Sequence, residues 1–332
     1  MRLKPPYLMF LGDAPDQLAA KTAQGVVDWR PDICMAQLRL DGCKADLGLA
    51  DMTLEEAADK GAKTLILGVA NRGGKISTEW IAILVHAIEL GYDLASGLHN
   101  KLADIPAIVD AAKMYGRQLF DVRHPTETFA VASGKKRSGK RILPVGTDCS
   151  VGKMYTALAL TKEMQDRDMK VDFRATGQTG IFIVGEGVSV DAVVSDFISG
   201  ATETLSPAND DDHWDVVEGQ GSLFHASYAG VTIGLIHGSQ PDYIVLCHEP
   251  TRHHMRGLPD FPLPSLTQCM EANLNAARLT NPNVKCIGIA INTKAFSEEE
   301  AEAFLKKTEA EMGLPTVDPV RSGVGRLVDA LL

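Results

Sequence analysis

The chain lacks any apolar stretch approaching the roughly 20 residues of a membrane span. Its opening, Met1-Arg-Leu-Lys-Pro-Pro6, lacks an apolar run of secretory length, so a cytoplasmic location is the expectation. An excess of positive charge is also missing, with 33 Lys and Arg against 43 Asp and Glu and a formal net charge of −10. This balance argues against a nucleic-acid or anionic-membrane footprint and leaves room for a local cationic pocket. The six cysteines, Cys34, Cys43, Cys149, Cys247, Cys269 and Cys286, show none of the paired two-residue spacing of a zinc site. Most are expected to be reduced, buried and inert. Cys149 stands at a helix start, where a thiol pKa falls, although a small residue tolerated in a tight loop is the simpler reading. No internal repeat or useful low-complexity segment is present. With 332 residues and 45% hydrophobic content, two domains can each bury a core.

The most informative absence is a single hydroxyl. Gly146-Thr-Asp-Cys-Ser-Val-Gly-Lys153 follows the apolar run Arg141-Ile-Leu-Pro-Val145 and precedes a helix-like stretch from Met154 to Met164. Strand, glycine-bounded loop and helix start, in that order, turn backbone N–H groups inward at the positive end of a helix, and Lys153 adds a mobile charge. Gly146, Thr147, Asp148, Cys149, Ser150, Val151, Gly152 and Lys153 are therefore expected to hold a phosphorylated ligand. Met154 follows the lysine, where such loops carry the Ser or Thr that holds Mg²⁺. A thioether is a poor magnesium ligand. Thr147, Ser150 and Thr156 would replace the hydroxyl only through an altered geometry, so nucleotide binding and nucleotide hydrolysis separate.

Apolar runs at Tyr7 to Leu11, Thr64 to Val69, Tyr92 to Ala95 and Leu119 to Val122 predict strands, and helical spacing predicts helices over Thr78 to Leu90 and Ile105 to Tyr115. The alternation reads as a parallel sheet with covering helices. The loops Gly12-Asp-Ala14, Asn71-Arg-Gly-Gly74 and Gly97-Leu-His-Asn100 are candidate site walls at its carboxyl edge. The basic stretch Ser133 to Lys140 suits an exposed linker. Beyond it, strands are expected at Lys170 to Phe173, Asp215 to Val217, Tyr243 to Leu246 and Lys285 to Ile291. Helices are expected over Val190 to Ser199, Leu266 to Arg278 and Glu298 to Met312, the last opened by a capping box from Ser297. Ser206 to His213 and His253 to Ser265 read as long polar or proline-rich loops.

Several strand ends carry chemistry. In Trp214-Asp-Val-Val-Glu-Gly-Gln-Gly-Ser222 a strand runs into Glu218, placed to hold a metal, position an amine or accept a proton near a phosphate site. Arg174-Ala-Thr-Gly-Gln-Thr-Gly180 offers Arg174, Thr176, Gln178 and Thr179 to an anionic substrate. Cys247-His-Glu-Pro-Thr-Arg-His-His254 brings His248 and Arg252 to another strand end, where proton transfer and carboxylate binding are both useful. The strand from Gly288 ends in Asn292, whose amide suits a purine edge.

Gly146-Thr-Asp148, Val151-Gly-Lys153 and Val217-Glu-Gly219 resemble the dethiobiotin synthetase branch of phosphate-loop proteins, in which the acid helps bind magnesium and a strand-end Asn faces adenine. Met154 departs from that branch, which has Thr there. Ala175-Thr-Gly-Gln-Thr-Gly180, Glu218-Gly-Gln-Gly-Ser222 and His248-Glu-Pro250, with an N-terminal α/β region, more closely resemble the D-glutamate N-acetyltransferase family over nearly the whole chain. The fold class expected is α/β, with an N-terminal Rossmann-like parallel-sheet domain at 1–135 and a C-terminal phosphate-loop NTPase-like domain at 136–332.

The resemblance implies transfer of acetyl from acetyl-CoA to the amine of D-glutamate. Coenzyme A and a small anionic amino acid are then the partners, no obligatory metal is expected, and a homo-oligomer is the expected assembly. Coenzyme A carries an ADP-like diphosphate and an adenine, which the loop and Asn292 could hold. Attack of a neutral amine on a thioester needs a base and donors to the developing oxyanion. Glu218, His225 and His248 are candidate bases. Arg72, Arg174 and Arg252 are candidate carboxylate partners, with Thr176, Gln178, Thr179 and Gln220 as further substrate contacts. An ATP-dependent ligase or kinase of the dethiobiotin synthetase type is the alternative, and Met154 speaks against it. A non-catalytic nucleotide-responsive module is a third reading, weakened by the polar groups gathered at strand ends.

Overall fold

Tyr7-Leu-Met-Phe-Leu-Gly12 is buried at all six positions and Thr64-Leu-Ile-Leu67 at all four. Strands with no polar face are covered on both sides, which is how parallel sheets between helices read. In the computed structural model, which describes residues 3–69 and 76–332, such strands build two parallel sheets. The first contains β1 (Tyr7–Gly12), β2 (Cys34–Arg39), β3 (Thr64–Leu67), β4 (Asp93–Ser96) and β5 (Leu119–Asp121), in the order β2-β1-β3-β4-β5. Helices α1 (Lys21–Trp29), α2 (Leu54–Asp59), α3 (Thr78–Glu89) and α4 (Pro106–Tyr115) lie between its strands in the chain.

The second sheet contains β6 (Lys140–Gly146), β7 (Val171–Arg174), β8 (Trp214–Val217), β9 (Tyr243–His248), β12 (Lys285–Ile291) and β13 (Thr316–Val317), in the order β13-β12-β9-β6-β8-β7. Between β9 and β12 the chain forms a small antiparallel hairpin of β10 (His254–Met255) and β11 (Leu258–Pro262). The remaining helices are α5 (Lys153–Asp166), α6 (Gln178–Val184), α7 (Ile198–Leu205), α8 (Ala229–Ser239), α9 (Leu266–Arg278), α10 (Glu298–Met312) and α11 (Gly325–Asp329). Helix α10 starts at the expected capping box, with Ser297 Oγ accepting from Glu300 N–H and the Glu300 carboxylate accepting from Ser297 N–H. Among the described residues no helix is long and apolar enough to cross a membrane.

The compact units are Met1–Glu127 with Gly177–Ala192, and Thr128–Thr176 with Val193–Leu332. The first unit thus takes in a segment, 177–192, from beyond residue 135. Within the first unit, α6 is tied down by Arg30, which donates to Ile183 O at 3.3 Å, and by Leu3 N–H, which donates to Gly185 O at 3.2 Å. The helix expected over Val190 to Ser199 is instead two short 3-10 turns, with α7 starting at Ile198. Asp191 there takes bonds from Ser189 Oγ at 2.9 Å and Arg123 at 2.6 Å, the side-chain competition that keeps such residues out of helix interiors.

The basic stretch before β6 is an anchor as much as a linker. Lys136 pairs with Asp242 at 2.8 Å, and Arg137 donates to Ser206 O at 2.8 Å and Gly238 O at 2.7 Å. Burial pushes the Arg137 pKa down to about 10. Most of Ser133 to Lys140 is exposed, as a linker would be, while Arg137 supplies donors to carbonyls that would otherwise lack them. Residues 253–262, expected as open loop, carry the β10–β11 hairpin.

Candidate active site

The carboxyl ends of β8, β6, β9 and β12 lie side by side in the second sheet. Gly146 of β6 pairs with Cys247 of β9, and His248 of β9 pairs with Ile291 of β12. Topology alone therefore lines up Glu218, the phosphate loop, His248 and Asn292 along one sheet edge, where ligands of such sheets bind.

The loop is fixed by steric demands. A Cβ on Gly146 would sit 2.7 Å from Val151 Cγ2, so the strand leaves the sheet only at glycine. Gly152 has φ +107° and directly precedes α5, a backbone state that L side chains disfavour. Gly219 is equally constrained, since a Cβ there would lie 1.8 Å from Pro144 O. That glycine lets Glu218 and the loop approach each other.

Each hydroxyl that might replace the missing magnesium ligand is engaged. Thr147 Oγ1 lies 2.9 Å from His248 Nδ1, Thr156 Oγ1 donates to Gly152 O at 3.0 Å, and Ser150 Oγ is bonded to the Arg256 guanidinium. Lys153 is buried, donates to Asp148 O at 2.7 Å, and has its pKa pushed down by desolvation. Its ammonium already points along the loop backbone.

Asp148 is the hub of this structure. It is fully buried and accepts from Cys149 N–H at 2.6 Å, Arg252 at 2.7 Å and Arg256 N–H at 2.8 Å. Arg252 also donates to Cys149 O at 2.5 Å and Ser150 O at 3.3 Å. Burial outweighs the neighbouring cations at the Cys149 thiol and pushes its pKa up, against the lowering that a helix start alone would give.

The three candidate bases separate. His225 is buried, accepts at Nδ1 from Ser227 N–H at 3.1 Å, and donates from Nε2 to Arg256 O at 3.0 Å. Both of its ring nitrogens are occupied, so it holds structure. Glu218 is buried, accepts from Thr176 N–H at 2.9 Å, and its carbonyl accepts from Thr176 Oγ1 at 2.7 Å. His248 is half-buried with Nδ1 tethered to Thr147, while Nε2 has no hydrogen-bond partner among the described residues. Burial pushes its pKa down, Glu249 opposes this and Arg252 reinforces it. The net shift favours the neutral ring.

The remaining expected site residues differ in what holds them. Arg174, expected to face a substrate carboxylate, is held by Asp215 at 2.8 Å and Asp172 at 3.0 Å. Gln178 and Thr179 open α6 in the first unit, where a Cβ on Gly97 would meet Gln178 Oε1 at 2.0 Å. Gln220 makes a long contact of 3.4 Å to Thr176 Oγ1. Asn292 stands beside Gly152, 4.0 Å from where its Cβ would be. Arg72 lies outside the described residues. Two groups could gather around a metal, Asp148 with Cys149 and His225, and Asp172 with His213 and Asp215. In the first group hydrogen bonds occupy the Asp148 and His225 atoms, and in the second Arg174 is bonded to both carboxylates.

This geometry sits in a chain with close relatives. It is 61% identical over 329 residues, 99% of each chain, to a protein of Tritonibacter scottomollicae named D-glutamate N-acetyltransferase. A Pseudoalteromonas protein of the same name is 49% identical over 328 residues, again 99% of each chain. The chain belongs to the D-glutamate N-acetyltransferase family. Residues 38–125 match the family model described as a domain of unknown function (DUF1611_N), Rossmann-like domain, and residues 129–328 match DUF1611_C, P-loop domain. The crystal structure of a DUF1611 family protein from Anabaena variabilis is 32% identical, with a TM-score of 0.87 over 99% of both chains. The α/β fold class, Rossmann-like before phosphate loop, is thereby established for this D-glutamate N-acetyltransferase family member. Arg256 is the residue of its site that sequence reading missed.

Proposed function

We propose that the protein transfers acetyl from acetyl-CoA to the amine of D-glutamate. The observation that carries this reading is 61% identity over the full chain to a protein named for that reaction. Acetyl-CoA, when bound, supplies an activated thioester carbonyl and a diphosphate. The inward N–H groups of the loop and the Lys153 ammonium suit that diphosphate, and Asn292, beside Gly152, offers an amide to the adenine edge. His248 acts as the base. With Nδ1–H donating to Thr147 Oγ1, its neutral ring presents an Nε2 lone pair that can take a proton from the acceptor ammonium. Glu218 holds the Thr176 turn beside the loop, and His225 holds the hairpin.

The reading is tested by thiol release from acetyl-CoA with D-glutamate, L-glutamate or neither, with ATP hydrolysis followed in parallel. Release that requires D-glutamate and proceeds without ATP is expected. Thiol release indifferent to the amino acid would defeat it.

Two further outcomes are expected. Because Met154 puts a thioether where the magnesium-binding hydroxyl would stand, EDTA should leave turnover nearly unchanged, and Met154→Thr should create no appreciable ATP hydrolysis. A strict Mg²⁺ requirement would contradict this. Lys153→Ala should raise the acetyl-CoA KM at least about tenfold, the equivalent of one charge-assisted hydrogen bond. An unchanged KM would place the diphosphate away from the loop.

A further inference from the structure

The β10–β11 hairpin meets the phosphate loop at Arg256, whose backbone is gripped from two sides by buried side chains. Its N–H donates to Asp148 Oδ2 at 2.8 Å and its carbonyl accepts from His225 Nε2 at 3.0 Å. Asp148 is 0% and His225 2% exposed. What they hold in place is an exposed cation at the rim of the loop. The Arg256 guanidinium is bonded to Ser150 Oγ and, among the described residues, forms no ion pair with a carboxylate. Arg252 next to it differs, being neutralised by Asp148 at 2.7 Å.

A guanidinium resting on a neutral hydroxyl is poised to exchange it for an anion, since bonds between ionised partners are about twice as strong as neutral ones. In the proposed function the diphosphate of the donor is assigned to the loop amides and Lys153. Coenzyme A differs from ADP in carrying a further phosphate on the ribose 3′ oxygen. We propose that Arg256 is a donor-specificity residue that leaves Ser150 to bind this 3′-phosphate. The inference rests on acetyl-CoA being the donor. Because the backbone of Arg256 is fixed beforehand, only its side chain has to be ordered on binding, and its planar fork suits two phosphate oxygens at once.

Calorimetric titration of the full chain with coenzyme A and with 3′-dephospho-coenzyme A tests this without turnover. The wild-type protein should bind coenzyme A at least about tenfold more tightly than the dephospho form. Arg256→Ala should bring the ratio to about twofold or less by weakening coenzyme A alone, and Arg256→Lys should retain part of it. Lys153→Ala, touching the shared diphosphate, should weaken both ligands and preserve the ratio. Equal wild-type affinities, or an Arg256→Ala variant that weakens both ligands alike, would overturn the proposal. Failure of the wild-type protein to bind either ligand would overturn the donor assignment itself, before any variant is compared.

Discussion

His248→Ala should lower kcat for acetyl transfer by about 10²-fold or more and remove the acid limb of its pH profile. Three observations converge on this ring: it ends the strand beside the loop strand, Thr147 Oγ1 holds Nδ1 at 2.9 Å, and Nε2 is unpartnered among the described residues. The sign of the pH effect follows from burial, which lowers the imidazole pKa from its ordinary 6.5. The basic form is present above the lowered value and is lost as pH falls through it. The wild-type acid limb should accordingly lie below pH 6.5, and Thr147→Val should shift it and lower kcat less severely than His248→Ala, with Thr147→Ser restoring much of the loss. If His248→Ala kept near-normal kcat and an unchanged limb, the base would have to be sought at Glu218. His225→Ala should instead act on stability, because both of its ring nitrogens hold backbone.

The phosphate loop, its flanking strand and helix, and the edge positions of Glu218, His248 and Asn292 are legible in the sequence because each depends on neighbours within a few residues. Strand, glycine and helix start are local patterns, and the parallel topology then aligns the strand ends. What escapes is held by distant partners. His225 resembles a free base in sequence, yet the carbonyl of Arg256, 31 positions on, accepts a hydrogen bond from its Nε2. Arg174 reads as a substrate ligand until the register places Asp172 opposite Asp215 and its guanidinium between them. Strand β2 hides its nature behind the buried Gln37, a polar residue made tolerable by Asp46 at 3.0 Å and by Leu47 N–H at 2.8 Å. The hairpin that carries Arg256 is short and proline-bearing, so its composition reads as loop. Insertion of 177–192 into the first unit has no compositional mark at all.

Asp148→Ala should have the largest effect on stability. The wild-type carboxylate has no exposure and satisfies two backbone N–H groups and the partly buried Arg252 guanidinium. Removing one member of a buried pair leaves its partner uncompensated, which costs about 3–5 kcal/mol and far exceeds the net worth of the pair itself. Arg252 would retain the carbonyls of Cys149 and Ser150 and the Glu249 carboxylate at 3.5 Å, while the N–H groups of Cys149 and Arg256 would lose their acceptor. Asp148→Asn should lie between, since an amide oxygen can still accept but carries no charge. Amide hydrogen exchange provides a local reading beside chemical unfolding: protection should fall first at Cys149 and Arg256, with the first unit unaffected. The loop should loosen with it, raising the acetyl-CoA KM along with the loss of stability. A stability loss below about 1 kcal/mol, the level of an exposed ion pair, with protection retained at both amides, would show that the hairpin and loop are held together by something other than Asp148.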